Sequence, residues 1–306
     1  MQRRKQWRMA LGVLWILDGI LQLQPQMFGP RFIHLVLDAN LMGQPRWLAP
    51  LLRLSYGIWA QHPVLSDLGS ALLQLGIGGL LLMPSSVWNT RGLWLSLGWG
   101  SLVWFTGEGL GGIATPDASW ITGSPGSALL YVALTILLLL PVAWWESGRV
   151  GLIAGRIVGT LWLWGAILQT RMNFFNANGL FAPWHGLAAL PQPHIVSSVI
   201  NQVAWHLGGV ANWTNVGFIL IMAGLGVAYL LDWHPTWLRL SALLWLFAIW
   251  SIAMDFGVFG GVGTDPNTPP IWLLLMALPW VLHPIQRKTP ALVSNPRRIE
   301  TEIGVR

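Results

Sequence analysis

The amino-acid sequence predicts an all-α polytopic membrane protein of about eight transmembrane helices, arranged as two parallel four-helix repeats. Three observations predict it. Only 9% of the 306 residues are charged and 54% are hydrophobic, whereas a soluble domain usually carries about 25% charged residues. Several apolar runs approach the length needed to cross a hydrocarbon core of about 30 Å. The chain also repeats itself at a spacing near 147 residues.

The expected spans are Trp7 to Leu23, Val64 to Met83, Gly92 to Thr106, Ser127 to Trp145, Leu152 to Gln169, Asn215 to Leu231, Thr236 to Met254 and Pro270 to Leu282. The basic start Met1 to Arg8 resembles the n-region of a secretory signal. Asp18 within the apolar run, and the lack of a small-residue cleavage site after it, make this a retained first helix instead. With the N-terminus in the cytoplasm, thirteen of the seventeen lysines and arginines fall on the cytoplasmic side. Only Arg31, Arg46, Arg53 and Arg171 fall outside, the bias expected for an N-in, C-in chain. The formal charge of +6 is thereby a topology signal, and nucleic acid is not an expected partner.

The repeat places Leu14-Trp15 against Leu161-Trp162, Ile20-Leu21-Gln22 against Ile167-Leu168-Gln169, and Trp104 and Glu108 against Trp250 and Asp255. An even number of spans per copy gives both copies the same orientation, related by an axis along the membrane normal. Residues 1–148 form the first repeat, 149–284 the second, and 285–306 a cytoplasmic basic tail. Within each repeat a long outer connection, about Gln24 to Pro63 and Thr170 to Asn212, is expected to carry an interfacial amphipathic helix.

In the first half, Ala10-Leu-Gly-Val-Leu-Trp-Ile-Leu-Asp-Gly-Ile-Leu21 and Leu68-Gly-Ser-Ala-Leu-Leu-Gln-Leu-Gly-Ile-Gly-Gly-Leu-Leu-Leu82 resemble the DoxX-like integral membrane superfamily. That group includes the thiosulfate:quinone oxidoreductase membrane subunit. The resemblance implies a four-helix unit, here as a tandem duplication, and a quinone-linked redox role. It carries no site residues with it.

The residues themselves offer several candidates. Asp18, placed near the bilayer midplane with Gln22 one turn on, is either functional or a protonated group in a polar helix contact. Glu108 and Asp255 each end a helix before a glycine-rich loop. If the halves pack through these helices, the two would meet across the repeat axis and could bind a cation, a proton or a polar headgroup; otherwise each holds the following loop by accepting hydrogen bonds from its amides. Trp104 and Trp250 precede them by about one turn and could line a quinone-sized pocket. His62 and His206 are the candidate metal ligands on the outer side, although no histidine pair has ligand spacing along one helix. The absence of cysteine excludes disulfides, thiolate-held clusters and a thiol relay within the chain.

Three functions are consistent with these features: a DoxX-like, quinone-linked redox subunit with an extracytoplasmic-side site, a permease for an ion or small solute, and a non-catalytic structural subunit of a larger membrane complex. Quinone or a metal is the expected cofactor class. The lipid bilayer, with membrane or extracytoplasmic subunits, makes up the expected partners. A prokaryotic plasma membrane, that is a cell inner membrane, is the expected location.

Overall fold

In the computed structural model, which describes residues 2–282, every regular element is helical. His283 and the basic tail expected over 285–306 lie outside the described residues. The longer helices are α1 (Gln2–Leu21), α2 (Ala49–Gln61), α3 (Pro63–Leu82), α4 (Ser86–Leu102), α5 (Ser127–Leu139), α6 (Arg149–Gln169), α7 (Ala177–Ala188), α8 (His194–Gly208), α9 (Ala211–Leu230), α10 (Thr236–Ala248) and α11 (Thr268–Val281). Four segments are long and apolar enough to cross a membrane: α3, α6, α9 and α10 with its extension to Ala253. Helices α5 and α11 are apolar but shorter. The expected fourth span breaks at Pro141, and a short helix, Val142–Glu146, follows before Gly148 turns the chain into α6. Pro279 does not end α11, which runs on to Val281.

Many large apolar side chains face outward, among them Leu54, Leu65, Leu72, Trp94, Leu102, Leu220, Leu244 and Phe247. Water is a poor solvent for such a surface and lipid is a good one. These features make the chain an integral membrane protein in its gross character.

The two halves bury corresponding faces. In α1 the buried positions Leu11, Gly12, Trp15, Asp18 and Gly19 answer to Val158, Gly159, Trp162, Gly165 and Ala166 in α6. In α5, Ser127, Leu130, Tyr131, Leu134 and Thr135 answer to Thr268, Ile271, Trp272, Leu275 and Met276 in α11. Helix α4 ends in a π-turn over Val103–Gly107, as α10 does over Ile249–Ala253. There the Trp104 and Trp250 indoles each donate a 2.8 Å hydrogen bond to a proline carbonyl, of Pro125 and Pro266 respectively. The outer connections hold α2 in one half and α7 and α8 in the other, where amphipathic helices were expected.

Close glycine contacts set the helix spacing. A Cβ on Gly78 would lie 2.6 Å from the Gly12 carbonyl oxygen, and one on Gly226 would lie 3.0 Å from that of Gly159. Backbones that near each other gain dispersion and weak Cα–H···O contacts, which drive association in lipid where no hydrophobic effect acts between helices. Trp7 Nε1 donates to the Leu274 carbonyl at 2.9 Å, and Arg4 Nη2 to that of Leu138 at 2.7 Å. These bonds join the start of α1 to α5 and α11.

Among the three glycines of Gly76-Ile-Gly-Gly79, Gly78 alone has neighbours a methyl group would strike. Gly78→Ala is expected to destabilise the protein by about 1–3 kcal/mol through overpacking. Gly76→Ala and Gly79→Ala are expected to leave the thermal midpoint in detergent or nanodiscs nearly unchanged, and equal losses at all three would contradict the helix contact.

Candidate functional site

The first half contains a cavity of about 680 Å³ at the end of the bundle distal to the N-terminus. Its walls come from α1, α3, α4 and α5, the first outer connection, and Thr264 and Asp265 of the second half. Leu54, Ile58, Leu65 and Leu102 line it and are also more than half exposed, so its mouth faces the apolar outer surface. Asp18, Gln22, Gln74, Glu108, Tyr131 and Asp265 supply its polar end. No basic side chain lines it among the described residues.

Each polar group is held by its own element. Asp18 lies one turn before the end of α1, beyond the middle of the helix where the sequence suggested it would sit. The Tyr131 hydroxyl faces it from α5 without closing a hydrogen bond of good geometry. Glu108 caps the π-turn of α4 and spans to the start of α5, where Oε1 accepts from Ser127 Oγ at 2.8 Å and from the Ala128 amide at 3.1 Å. A carboxyl group is well placed there, since the first amides of a helix have no intrahelical acceptor. Gly126 makes this possible: its φ is +93°, and a Cβ would lie 2.0 Å from Glu108 Oε2. Asp265 reaches in from the loop before α11, within reach of the Ser127 hydroxyl. Below this layer, Trp15 Nε1 donates to Ser96 Oγ at 2.8 Å, and Ser96 shares a 2.9 Å hydrogen bond with Thr135.

Several buried oxygens remain without partners: Asp18 Oδ1, Gln22 Oε1, Gln74 Oε1, Glu108 Oε2 and Asp265 Oδ1. Buried polar atoms are normally paired. Burial pushes the Glu108 carboxyl up to about 7, and the nearby Asp265 charge pushes in the same direction. Burial also raises Asp265. The site can therefore hold and exchange protons near neutral pH.

Of the residues singled out from the sequence, Asp18, Gln22 and Glu108 come together here. Trp104, Trp250 and Asp255 are not among the lining residues, and the two indoles brace the loops instead. The acid that stands electrostatically beside Glu108 is Asp265, which the sequence did not single out. Asp255 is buried among its own loop residues, and burial pushes it up to about 6. The pairing also falls one residue from the expected one, since Glu108 follows Trp104 by four residues whereas Asp255 follows Trp250 by five. The amide closing the turn in the second half belongs to Met254, so Met254 answers to Glu108. Asp255 answers to Gly109, both with φ of 50–55°. Thr268 Oγ1 contacts Met254 Sδ as Ser127 Oγ contacts Glu108.

His62 ends α2, and His206 Nδ1 pairs with the Gln202 carbonyl at 2.7 Å on its own helix. No group of three His, Asp or Glu side chains is poised to hold a metal ion among the described residues.

In this register Gln22 and Ser127 keep polar counterparts in Gln169 and Thr268, but most of the site's polar residues do not. Asp18, Gln74, Ser96, Glu108, Tyr131 and Thr135 answer to Gly165, Met222, Ala242, Met254, Trp272 and Met276. The space that is a cavity beside Trp15 and Tyr131 is filled in the second half by Trp120, whose ring centroid lies 4.0 Å from that of Trp162 and 5.3 Å from that of Trp272. A Cβ on Gly165 would meet Trp120 Cβ at 2.9 Å, so no acid fits there. Tyr131 and the Ser96–Thr135 pair were legible as polar residues facing apolar counterparts. Asp265 had no such signal.

Comparison with protein-family models, curated proteins and solved structures finds no match. The fold and site define a class: an all-α chain with helices able to cross a membrane and one laterally open, carboxyl-lined cavity.

The folded chain holds the Glu108 proton more tightly than the unfolded chain does. Stability therefore falls as pH rises from about 4.5 to about 7 and is level above, by on the order of 3 kcal/mol from this group. The thermal midpoint is expected to be lower at about pH 8 than at about pH 5. Glu108→Gln keeps an acceptor for Ser127 and Ala128 and should shrink that difference, with Asp265 retaining part of it. An undiminished difference in the variant would contradict the assignment to Glu108.

Proposed function

We propose that this is an eight-span membrane protein of two parallel four-helix repeats, with cytoplasmic termini, that binds a lipid-soluble quinone at its extracytoplasmic side as a DoxX-like redox component. The observation that carries the reading is the cavity itself: an apolar chamber open toward the lipid-facing surface, ending in carboxyl and carboxamide groups that each keep one buried oxygen without a partner. Such a chamber suits an amphiphile that enters sideways from the bilayer, its tail against Leu54, Ile58 and Leu65 and its polar head at Asp18, Gln22 and Glu108.

A bound quinone would supply two-electron, two-proton chemistry. The chain's own part is binding and proton traffic. Glu108, raised by burial to about 7, holds a proton near neutral pH and can pass it toward Asp18 and Tyr131, and burial raises the neighbouring Asp265 as well. Having no cysteine, the chain carries no thiol relay or thiolate-held cluster, so we assign electron delivery to a partner protein.

A permease reading would need a polar path through the bundle. Below the cavity the interior holds Leu11, Ile77, Leu81, Leu134 and Leu138, all buried, which weighs against it. A purely structural subunit has no use for unpartnered buried acids, whose retention is costly in a membrane.

Trp15, Trp59 and Trp99 line the cavity, so a short-chain ubiquinone analogue should quench tryptophan fluorescence saturably in nanodiscs. Asp18→Leu should weaken that binding by about tenfold or more, roughly the worth of one hydrogen bond to a charged or buried group. It should leave thermal stability equal or higher, because it removes a buried acid. Quenching that rises linearly with partitioned quinone, and equally in both proteins, would overturn the proposal. Reporter tags at the termini should be accessible only from the cytoplasm, and labels after Thr106 and Met254 only from outside.

A further inference from the structure

The second half shows what the first half's cavity is shaped to receive. There Trp120 packs against Trp162 and Trp272, over Gly165, while the adjacent Ser119 Oγ donates to Gln169 Oε1 at 2.8 Å. All of these are buried. Their counterparts in the first half are Trp15, Tyr131, Asp18 and Gln22, and all four line the cavity. Trp15 and Tyr131 stand edge to face with centroids 4.7 Å apart, as Trp162 and Trp272 do at 5.5 Å. Gln22 Oε1 is buried and has no partner, whereas its counterpart is satisfied by a hydroxyl.

We infer that the cavity takes a planar aromatic ring bearing a hydroxyl, the ring packed on Trp15 and Tyr131 beside the Asp18 side chain and the hydroxyl at the Gln22 carboxamide, in roles that answer to Trp120 and Ser119 of the second half but displaced from Trp120 by Asp18. The inference rests on the reading of the cavity as a binding site and narrows its ligand to phenol-like or quinol-like heads. Aromatic rings prefer edge-to-face or offset contacts, and the two side chains present such a corner. A buried carboxamide oxygen gains most from a donor on the ligand, because leaving it unpaired carries the full desolvation cost. The loop that carries Trp120 is longer than its counterpart: eighteen residues lie between Glu108 and Ser127 and thirteen between Met254 and Thr268. The shorter loop has no residue to play the part of Trp120 in the first half, and it delivers Asp265 there instead.

The test compares 1-naphthol with decan-1-ol on the full chain in nanodiscs. The two share a hydroxyl and differ in the ring. Energy transfer from tryptophan reports naphthol, and decanol is read by competition. Naphthol is expected to saturate, with decanol competing at least about tenfold more weakly, in line with the worth of aromatic contacts. Tyr131→Phe keeps the ring and should hold naphthol affinity within about threefold, whereas Tyr131→Leu should lose about tenfold. Gln22→Leu should weaken both alcohols alike. If decanol competes as well as naphthol, or Tyr131→Leu binds as tightly as Tyr131→Phe, the ring assignment is overturned while the binding reading stands. If neither naphthol nor the ubiquinone analogue saturates, the binding reading falls and this inference with it.

Discussion

The packing of Trp120 against the Trp162–Trp272 pair is the contact on which the rest of the arrangement depends. It carries a loop of the first half into the core of the second, and the Ser119–Gln169 hydrogen bond fixes it there. Asp265 crosses the other way. Each half thus completes its neighbour's distal end, and neither cavity wall is closed by its own repeat alone. Tryptophan suits the role because it brings a large rigid contact area at little entropic cost.

With one half filled by protein, the cavity acids Asp18 and Glu108 have no acidic counterpart in the other. An uncompensated carboxyl at membrane depth is unfavourable by at least about 2.5 kcal/mol. A duplicated chain keeping acids in both halves would bear that cost twice. Here Gly165, Met222 and Met254 stand where Asp18, Gln74 and Glu108 stand in the first half, and the second core packs as an apolar one. Trp162 Nε1 marks the change: it has no hydrogen-bond partner, because Ala242 and Met276 replace the Ser96 and Thr135 hydroxyls beneath Trp15. The helix contacts through Gly12–Gly78 and Gly159–Gly226 are kept in both. The frame is therefore shared, and the chemistry is local to one copy.

Much of this frame was legible in the amino-acid order. Low charge, apolar runs and the recurrence of Leu-Trp, Ile-Leu-Gln and Trp104/Trp250 point to helices, to lipid and to duplication, because periodicity and solvent preference are written in consecutive residues. Asp18, Gln22 and Glu108 were also visible, since an acid or amide in an apolar helix is conspicuous anywhere. What the order of residues could not supply was which loop lies against which half, since that follows from packing between segments far apart in the chain. Asp255 resembled the partner of Glu108 because both follow a repeated tryptophan at about one turn. Both copies end in the same π-turn, closed by the Glu108 amide in one and the Met254 amide in the other, so the match falls on Met254. Asp265, in an unremarkable Thr-Asp-Pro-Asn stretch, becomes a neighbour of Glu108 only when that loop folds over the first half. Composition and periodicity were enough to specify an all-α chain with helices able to cross a membrane. The carboxyl-lined cavity of the first half and its Trp120-filled counterpart arise from long-range packing, where side-chain volume and loop length decide which space is taken.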